Sequence, residues 1–124
     1  MNFTGPLPPH LHRGVDAEKA VLAYLEARGL RLLERNYRCA AGELDMVMLD
    51  QRELVFVEVR YRRNDRFGGA APSVDADKRR KLRRVGEVFL QHHPRLAYDG
   101  CRFDVVAVTG AAPEYAFDWI SDAF

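Results

Sequence analysis

The sequence predicts an α/β domain, a mixed β-sheet flanked by helices in the order α-β-β-β-α-β, with room for one short further strand. Three observations predict it. Residues 14–28 and 74–92 repeat apolar side chains with helical period. Between them lie three extended segments, 31–38, 43–49 and 53–60, parted only by short breaks. A β-branched run, CRFDVVAV, follows the second helix over 101–108.

Each element has its own justification. Residues 1–13 hold Pro6, Pro8 and Pro9 and read as a flexible arm, because proline removes a backbone donor and blocks a helix interior. Residues 14–124 read as a single domain. In its first helix Ala17, Ala20, Val21, Tyr24 and Leu25 form one buried face, and Gly29 is placed to cap the end. Gly42 separates the first two strands, and residues 50–52 separate the second from the third. The third strand, ELVFVEVR, is apolar at most positions and reads as buried on both faces. A Gly-rich loop over 64–72 leads to the second helix, with Ser73 as its expected cap and Pro94 as its stop. A fifth strand fits residues 115–119.

With 124 residues, 48% hydrophobic and 30% charged, the chain has the size and composition of one globular domain. No apolar run approaches the roughly 18 residues that span a membrane, and the N-terminus lacks a signal peptide's apolar stretch. The expectation is a cytoplasmic protein without a membrane partner. Cys39 and Cys101 match no metal spacing and are expected to be reduced and packed as small apolar groups. His92 and His93 fall at a helix C-terminus, where the dipole favours a structural role.

The net charge of +1 conceals local patches. Residues 78–84, KRRKLRR, contain six basic side chains, including Arg79, Arg80, Arg83 and Arg84. Residues 60–66 add Arg60, Arg62, Arg63 and Arg66. From residue 103 onward the acids Asp104, Glu114, Asp118 and Asp122 predominate. Basic patches of this kind suit a phosphate backbone, and equally a solvated helix face. Tyr61 and Phe67 flank the arginines and suit either base stacking or partial core packing.

The second and third strands can be paired as a hairpin with Asp50 opposite Glu53. Asp45 then faces Glu58, Glu43 faces Arg60, and all four share one face with Val47, Leu49, Leu54 and Phe56. Leu44, Met46, Met48, Val55, Val57 and Val59 take the other face. Directly opposed carboxylates are destabilising unless a proton, a basic neighbour or a cation intervenes. A divalent cation with oxygen ligands is one answer. Neutralisation by Arg60 and neighbouring arginines is the other.

The string GELD over 42–45, followed by EVR over 58–60, resembles the signature of the PD-(D/E)XK nuclease superfamily, and in particular its uncharacterised YraN-like family, related to Holliday junction resolvases. Ala17 and Glu18, the segments RNYRCAAGELDMV and LVFVEVRYR, Phe67 and Gly68, Ser73 and Val74, Lys78 and the RFDVV strand fit the same pattern over residues 14–108. The resemblance implies a restriction-endonuclease-like sheet and a metal-dependent nuclease acting on DNA in repair or recombination. In that pattern Asp45, Glu58 and Glu18 hold Mg²⁺ or Mn²⁺, while position 60 carries the residue that positions or activates water. Resolvase-like relatives act as dimers, so a homodimer is expected by analogy.

Two departures bear on activity. Position 60 is arginine, which stays protonated at neutral pH and cannot serve as a base. Lys78, on the inward stripe with Leu82, Val85 and Phe89, is a substitute for the usual lysine or a side chain that snorkels along the core edge. Leu44, rather than proline, precedes the first acid. Two rival functions fit the same chain: a non-catalytic nucleic-acid-binding module on the nuclease fold, and a protein-interaction domain.

Overall fold

A computed structural model describes residues 9–62 and 74–124, with residues 9–15 and 62 described by their backbone alone. The elements run α1 (Pro9–Glu26), β1 (Leu30–Cys39), β2 (Gly42–Asp50), β3 (Glu53–Arg62), α2 (Ala76–His92), β4 (Cys101–Ala111) and β5 (Glu114–Ile120). The five strands form one sheet in sequence order, β1-β2-β3-β4-β5. All neighbours are antiparallel except β3 and β4. That parallel pair requires a crossover, which α2 lies within.

The sheet separates two apolar layers. On one face Val47, Leu49, Leu54, Phe56 and Val105 pack with Leu82, Val85 and Phe89 of α2. On the other, Met46, Met48, Val55, Val57, Val106 and Val108 pack with Ala17, Val21 and Leu25 of α1. β3 is therefore covered on both sides, as its composition predicts. At Gly86 a Cβ would come within 3.1 Å of Phe103 Cζ and 3.2 Å of Phe56 Cε2, so glycine lets α2 lie close on the sheet. Gly29 follows α1 with φ +97°, a conformation that glycine adopts freely.

The structure amends several expectations. α1 begins at Pro9 rather than at residue 14, taking in part of the expected arm. A proline at the start of a helix costs little, because the first N–H groups have no intrahelical partner. The cap of α2 is Asp75, whose side chain accepts from Lys78 N–H at 2.8 Å; Ser73 lies outside the described residues. Cys101 is exposed and Cys39 half-buried, so only the latter packs.

The hairpin register holds from Asp50↔Glu53 to Met46↔Val57 and stops there. Leu44 does not share a face with Met46 and Met48; it packs with Val47 and Tyr37 on the α2 side. Strict alternation lapses around Asp45, where the facing strand has Asn36 at φ +52°. A left-handed residue in a strand breaks the pleat. The expected Glu43–Arg60 pairing is also replaced. Glu43 stands opposite Arg38 on β1 and forms an ion pair with it at 2.6 Å, while the backbone of Arg60 pairs with Ala107 on β4.

Candidate active site

Where the β2–β3 ladder ends, its partner groups are taken by a side chain. Asp45 Oδ2 accepts a hydrogen bond from Val59 N–H at 2.7 Å. The same carboxyl lies close to that of Glu58, whose side chain is buried to 10% exposure. Loss of solvent is the main cause that pushes the Asp45 pKa up to about 8; the charge of Glu58 and the hydrogen bond to it add to this, and the Val59 N–H opposes it. The pair thus holds a proton that two exposed carboxylates would have lost at neutral pH.

Two further charged groups adjoin the pair. Lys78 reaches from α2 to place Nζ 3.5 Å from Glu58 Oε2. The ammonium of Lys78 thus ends on the acid. Glu18 approaches from α1. Burial raises its pKa, Arg35 lowers it, and Glu43 and Glu58 raise it further. Glu18, Asp45 and Glu58 are thus brought into one electrostatic cluster from α1, β2 and β3. Among the described residues, no three His, Cys, Asp or Glu side chains close into a set that could hold an ion as they stand.

Arg35 is the residue that sequence reasoning passed over. It lies on β1 opposite Met46, next to the position of Asp45. Its Nε is buried and, among the described residues, has no hydrogen-bond partner. The available signal was its place in RNYRCAAGELD, one strand away from the acid.

The basic residues of α2 divide between two flanks. Arg79 and Arg83 lie over the ring of Phe124, with guanidinium carbons 5.6 and 5.5 Å from its centre. Arg79 Nε also donates to Val74 O at 2.9 Å. Arg80 pairs with Asp77, and Arg84 borders a groove beside Ala41. All four arginines are exposed. Arg63, Arg66, Phe67 and Gly68 lie outside the described residues, and Arg62 is placed by its backbone alone, paired with Thr109. Tyr61 packs in the α1-side layer and donates from its hydroxyl to Gly110 O at 2.6 Å, so core packing accounts for it.

A second buried charge network stands toward the β2–β3 turn. Asp104 has 0% exposure and accepts from Arg102, from Trp119 Nε1 at 2.8 Å and from Asp122 N–H at 2.9 Å. Arg102 also reaches Glu53 at 2.6 Å and Asp50 at 3.0 Å. Burial disfavours the charge on Arg102, and its bonds to Asp104, Glu53 and Asp50 outweigh that and raise its pKa. Asp104 is thus compensated and structural, although the sequence presents it as part of an acidic tail. His92 and His93 are structural as expected: Tyr37 OH bonds His92 Nδ1 at 2.7 Å, and His93 Nδ1 bonds Phe89 O at 2.8 Å.

Fold and site together define an α/β protein with a five-stranded mixed sheet, two helices and a buried acid pair attended by a lysine. Comparison with known proteins supplies the family. The model of the uncharacterised protein family UPF0102 matches residues 17–108, and the chain belongs to that family. It is similar to a UPF0102 protein of Stutzerimonas stutzeri, 52% identical over 111 residues that cover 90% of this chain and 92% of that one. A UPF0102 protein of Xanthomonas oryzae pv. oryzae is 55% identical over 112 residues, 90% of each chain. One from Pseudomonas fluorescens is 49% identical over 115 residues, 93% of this chain and 94% of its own. None of the described helices is long and apolar enough to cross a membrane.

Proposed function

We propose that the chain is a divalent-metal-dependent nuclease that hydrolyses phosphodiesters of DNA in the cytoplasm, with branched or damaged DNA as its substrate. The observation that carries this reading is the Asp45–Glu58 pair, buried, close together and faced by Lys78 at 3.5 Å. Two buried carboxylates that repel one another mark a place where a hard cation relieves that repulsion.

The donor set fits Mg²⁺ or Mn²⁺. Its atoms are all carboxylate oxygens, and Mg²⁺ is commonly held by one or two carboxylates with water completing the shell. Asp45 and Glu58 would hold the ion, with Glu18 contributing directly or through water. When bound, the ion supplies Lewis-acid stabilisation of the phosphate and lowers the pKa of water. The chain's own residues do the rest. Val59 N–H fixes the Asp45 carboxyl in place. Lys78 orients Glu58 and offers a cation to a phosphate oxygen. Arg60, on β3 beyond Glu58, is suited to a phosphate through its bidentate fork. The arginines of α2 add the positive surface that DNA requires.

The test is cleavage of a branched and a linear DNA substrate in Mn²⁺ by wild type, Glu58→Ala, Lys78→Ala and Arg60→Lys. Cleavage by wild type that Glu58→Ala abolishes supports the reading. Cleavage that survives Glu58→Ala comes from another enzyme. No cleavage by wild type, with DNA binding retained, replaces the nuclease by a non-catalytic binding module.

A further inference from the structure

Two strand arginines of this chain are paired with acids. Arg102 meets Asp50, Glu53 and Asp104, and Arg38 meets Glu43 at 2.6 Å. Arg35 differs from both: its Nε is buried and, among the described residues, has no hydrogen-bond partner. The acids around it are engaged elsewhere. Glu43 is paired with Arg38, Asp45 accepts from Val59 N–H, and Glu58 faces Lys78. The sheet fixes the side on which Arg35 stands. It lies opposite Met46, and directly opposed residues share a face. Met46 packs in the layer that α1 covers. Glu18 of α1 feels the charge of Arg35 as well as that of Glu58. Arg35 therefore adjoins the acid site from the α1 side, as Lys78 does from the α2 side.

We propose that Arg35 is a phosphate-binding residue of the acid site, taking the non-bridging oxygens of a phosphodiester beside a divalent ion held by Asp45, Glu58 and Glu18. The inference rests on the nuclease reading above and names a residue that receives the charge of its substrate. Charge balance supports it. The three carboxylates are offset by a divalent ion together with the Lys78 ammonium, and the Arg35 guanidinium is left over as positive charge. A phosphodiester carries one negative charge and offsets it. Keeping a buried donor unpaired costs stability, and a ligand-binding role accounts for that cost. Arginine suits the role, because it stays protonated and its fork matches two oxygens of a phosphate. Arg35 is half-buried as a whole, so with Nε covered the outer amines of the fork are what a ligand meets.

The test combines two titrations of the full chain. In calorimetry with Mn²⁺, Arg35→Gln should bind the ion at least as tightly as wild type, because a cation has been removed from beside it. The second titration follows anisotropy of a fluorescein-labelled phosphorothioate duplex in Mn²⁺; that backbone keeps its charge and resists cleavage. Arg35→Gln should weaken DNA binding about tenfold, the loss expected of charge-assisted hydrogen bonds. Arg35→Lys keeps the charge without the fork and should recover only part of it. Arg31→Gln, which changes an exposed arginine at the other end of β1, should lose far less. Arg35→Met should keep or raise the melting temperature, since it breaks no pairing. A loss of Mn²⁺ affinity in Arg35→Gln, or a lower melting temperature in Arg35→Met, would make Arg35 a structural support and overturn the proposal. DNA binding by Arg35→Gln that equals wild type, or falls no further than in Arg31→Gln, would overturn it too. The nuclease reading fails in a different way. Wild type that binds no Mn²⁺ removes the metal site and this role with it, whereas wild type that binds Mn²⁺ and cleaves, with Arg35→Gln unchanged, removes this role alone.

Discussion

The carboxylate of Asp45 accepts the backbone N–H of Val59 at 2.7 Å, on the neighbouring strand, beyond the last pair of the β2–β3 ladder. A side chain thus stands where a main-chain carbonyl would otherwise pair, and it brings Asp45 against Glu58. The bond favours the ionised form, yet burial and Glu58 outweigh it. This corner of the sheet therefore stores repulsion that a proton or a cation relieves.

That balance makes stability depend on pH in an unusual direction for an aspartate. The folded Asp45 pKa, about 8, lies above its ordinary value of 3.8. Between those values the folded chain holds a proton that the unfolded chain has released, so raising the pH favours unfolding. Below about pH 4 both states are protonated and the penalty vanishes. Asp45→Asn removes the titration while keeping an acceptor for Val59 N–H. Its melting temperature relative to wild type should rise from pH 5 to pH 8, measured without divalent ions. A difference independent of pH would reject the shared proton.

A cation that binds the pair must displace that proton. Calorimetric titration of Mn²⁺ at pH 7, in buffers of differing ionisation enthalpy, should show release of about one proton per ion bound. Asp45→Ala should bind neither Mn²⁺ nor Mg²⁺. Undetectable binding to wild type at millimolar Mn²⁺ would leave the cluster a purely structural one.

Lys78 and Arg60 should separate in their effects on cleavage. Lys78→Ala removes the ammonium beside Glu58 and should lower kcat by about 10²–10³, the usual loss for one electrostatic stabiliser. Arg60→Lys should lower activity if the guanidinium fork holds the phosphate, and raise it if the site merely lacks a titratable lysine; the fork is the expected role.

The exposed arginines of α2 should make DNA binding fall steeply with salt. Each phosphate neutralised on a duplex contributes about −0.9 to the slope of log affinity against log salt. Arg80→Glu combined with Arg83→Glu should weaken binding to all sequences alike and flatten that slope by nearly two. An unchanged slope would place the DNA face elsewhere.

Asp104 should matter to stability rather than to chemistry. Asp104→Ala leaves Arg102, with a side chain 11% exposed, short of its most buried partner. The cost should be about 3–5 kcal/mol, as for breaking any buried ion pair from one side. Chemical denaturation measures it, and a loss below 1 kcal/mol would show that Asp50 and Glu53 alone suffice.

The sequence by itself determined the order of the elements, the hairpin register from Asp50↔Glu53 to Met46↔Val57 and the residues of the acid pair. Periodicity carries these features because side-chain direction in a helix or strand follows from local geometry. The two-sided burial of β3 and the inward stripe of Lys78, Leu82, Val85 and Phe89 were legible for that reason. Only the tertiary structure decided what happens where local geometry is broken or where distant strands meet. Asn36 is left-handed on the facing strand and Leu44 lies on the α2 side, and Glu43 pairs with Arg38 across the other edge of β2 rather than with Arg60. Arg35 came to the site, and Asp104 left the acidic surface for a buried network, through pairings made between strands. Charge partners depend on distances through space, and those are set when the layers close on one another.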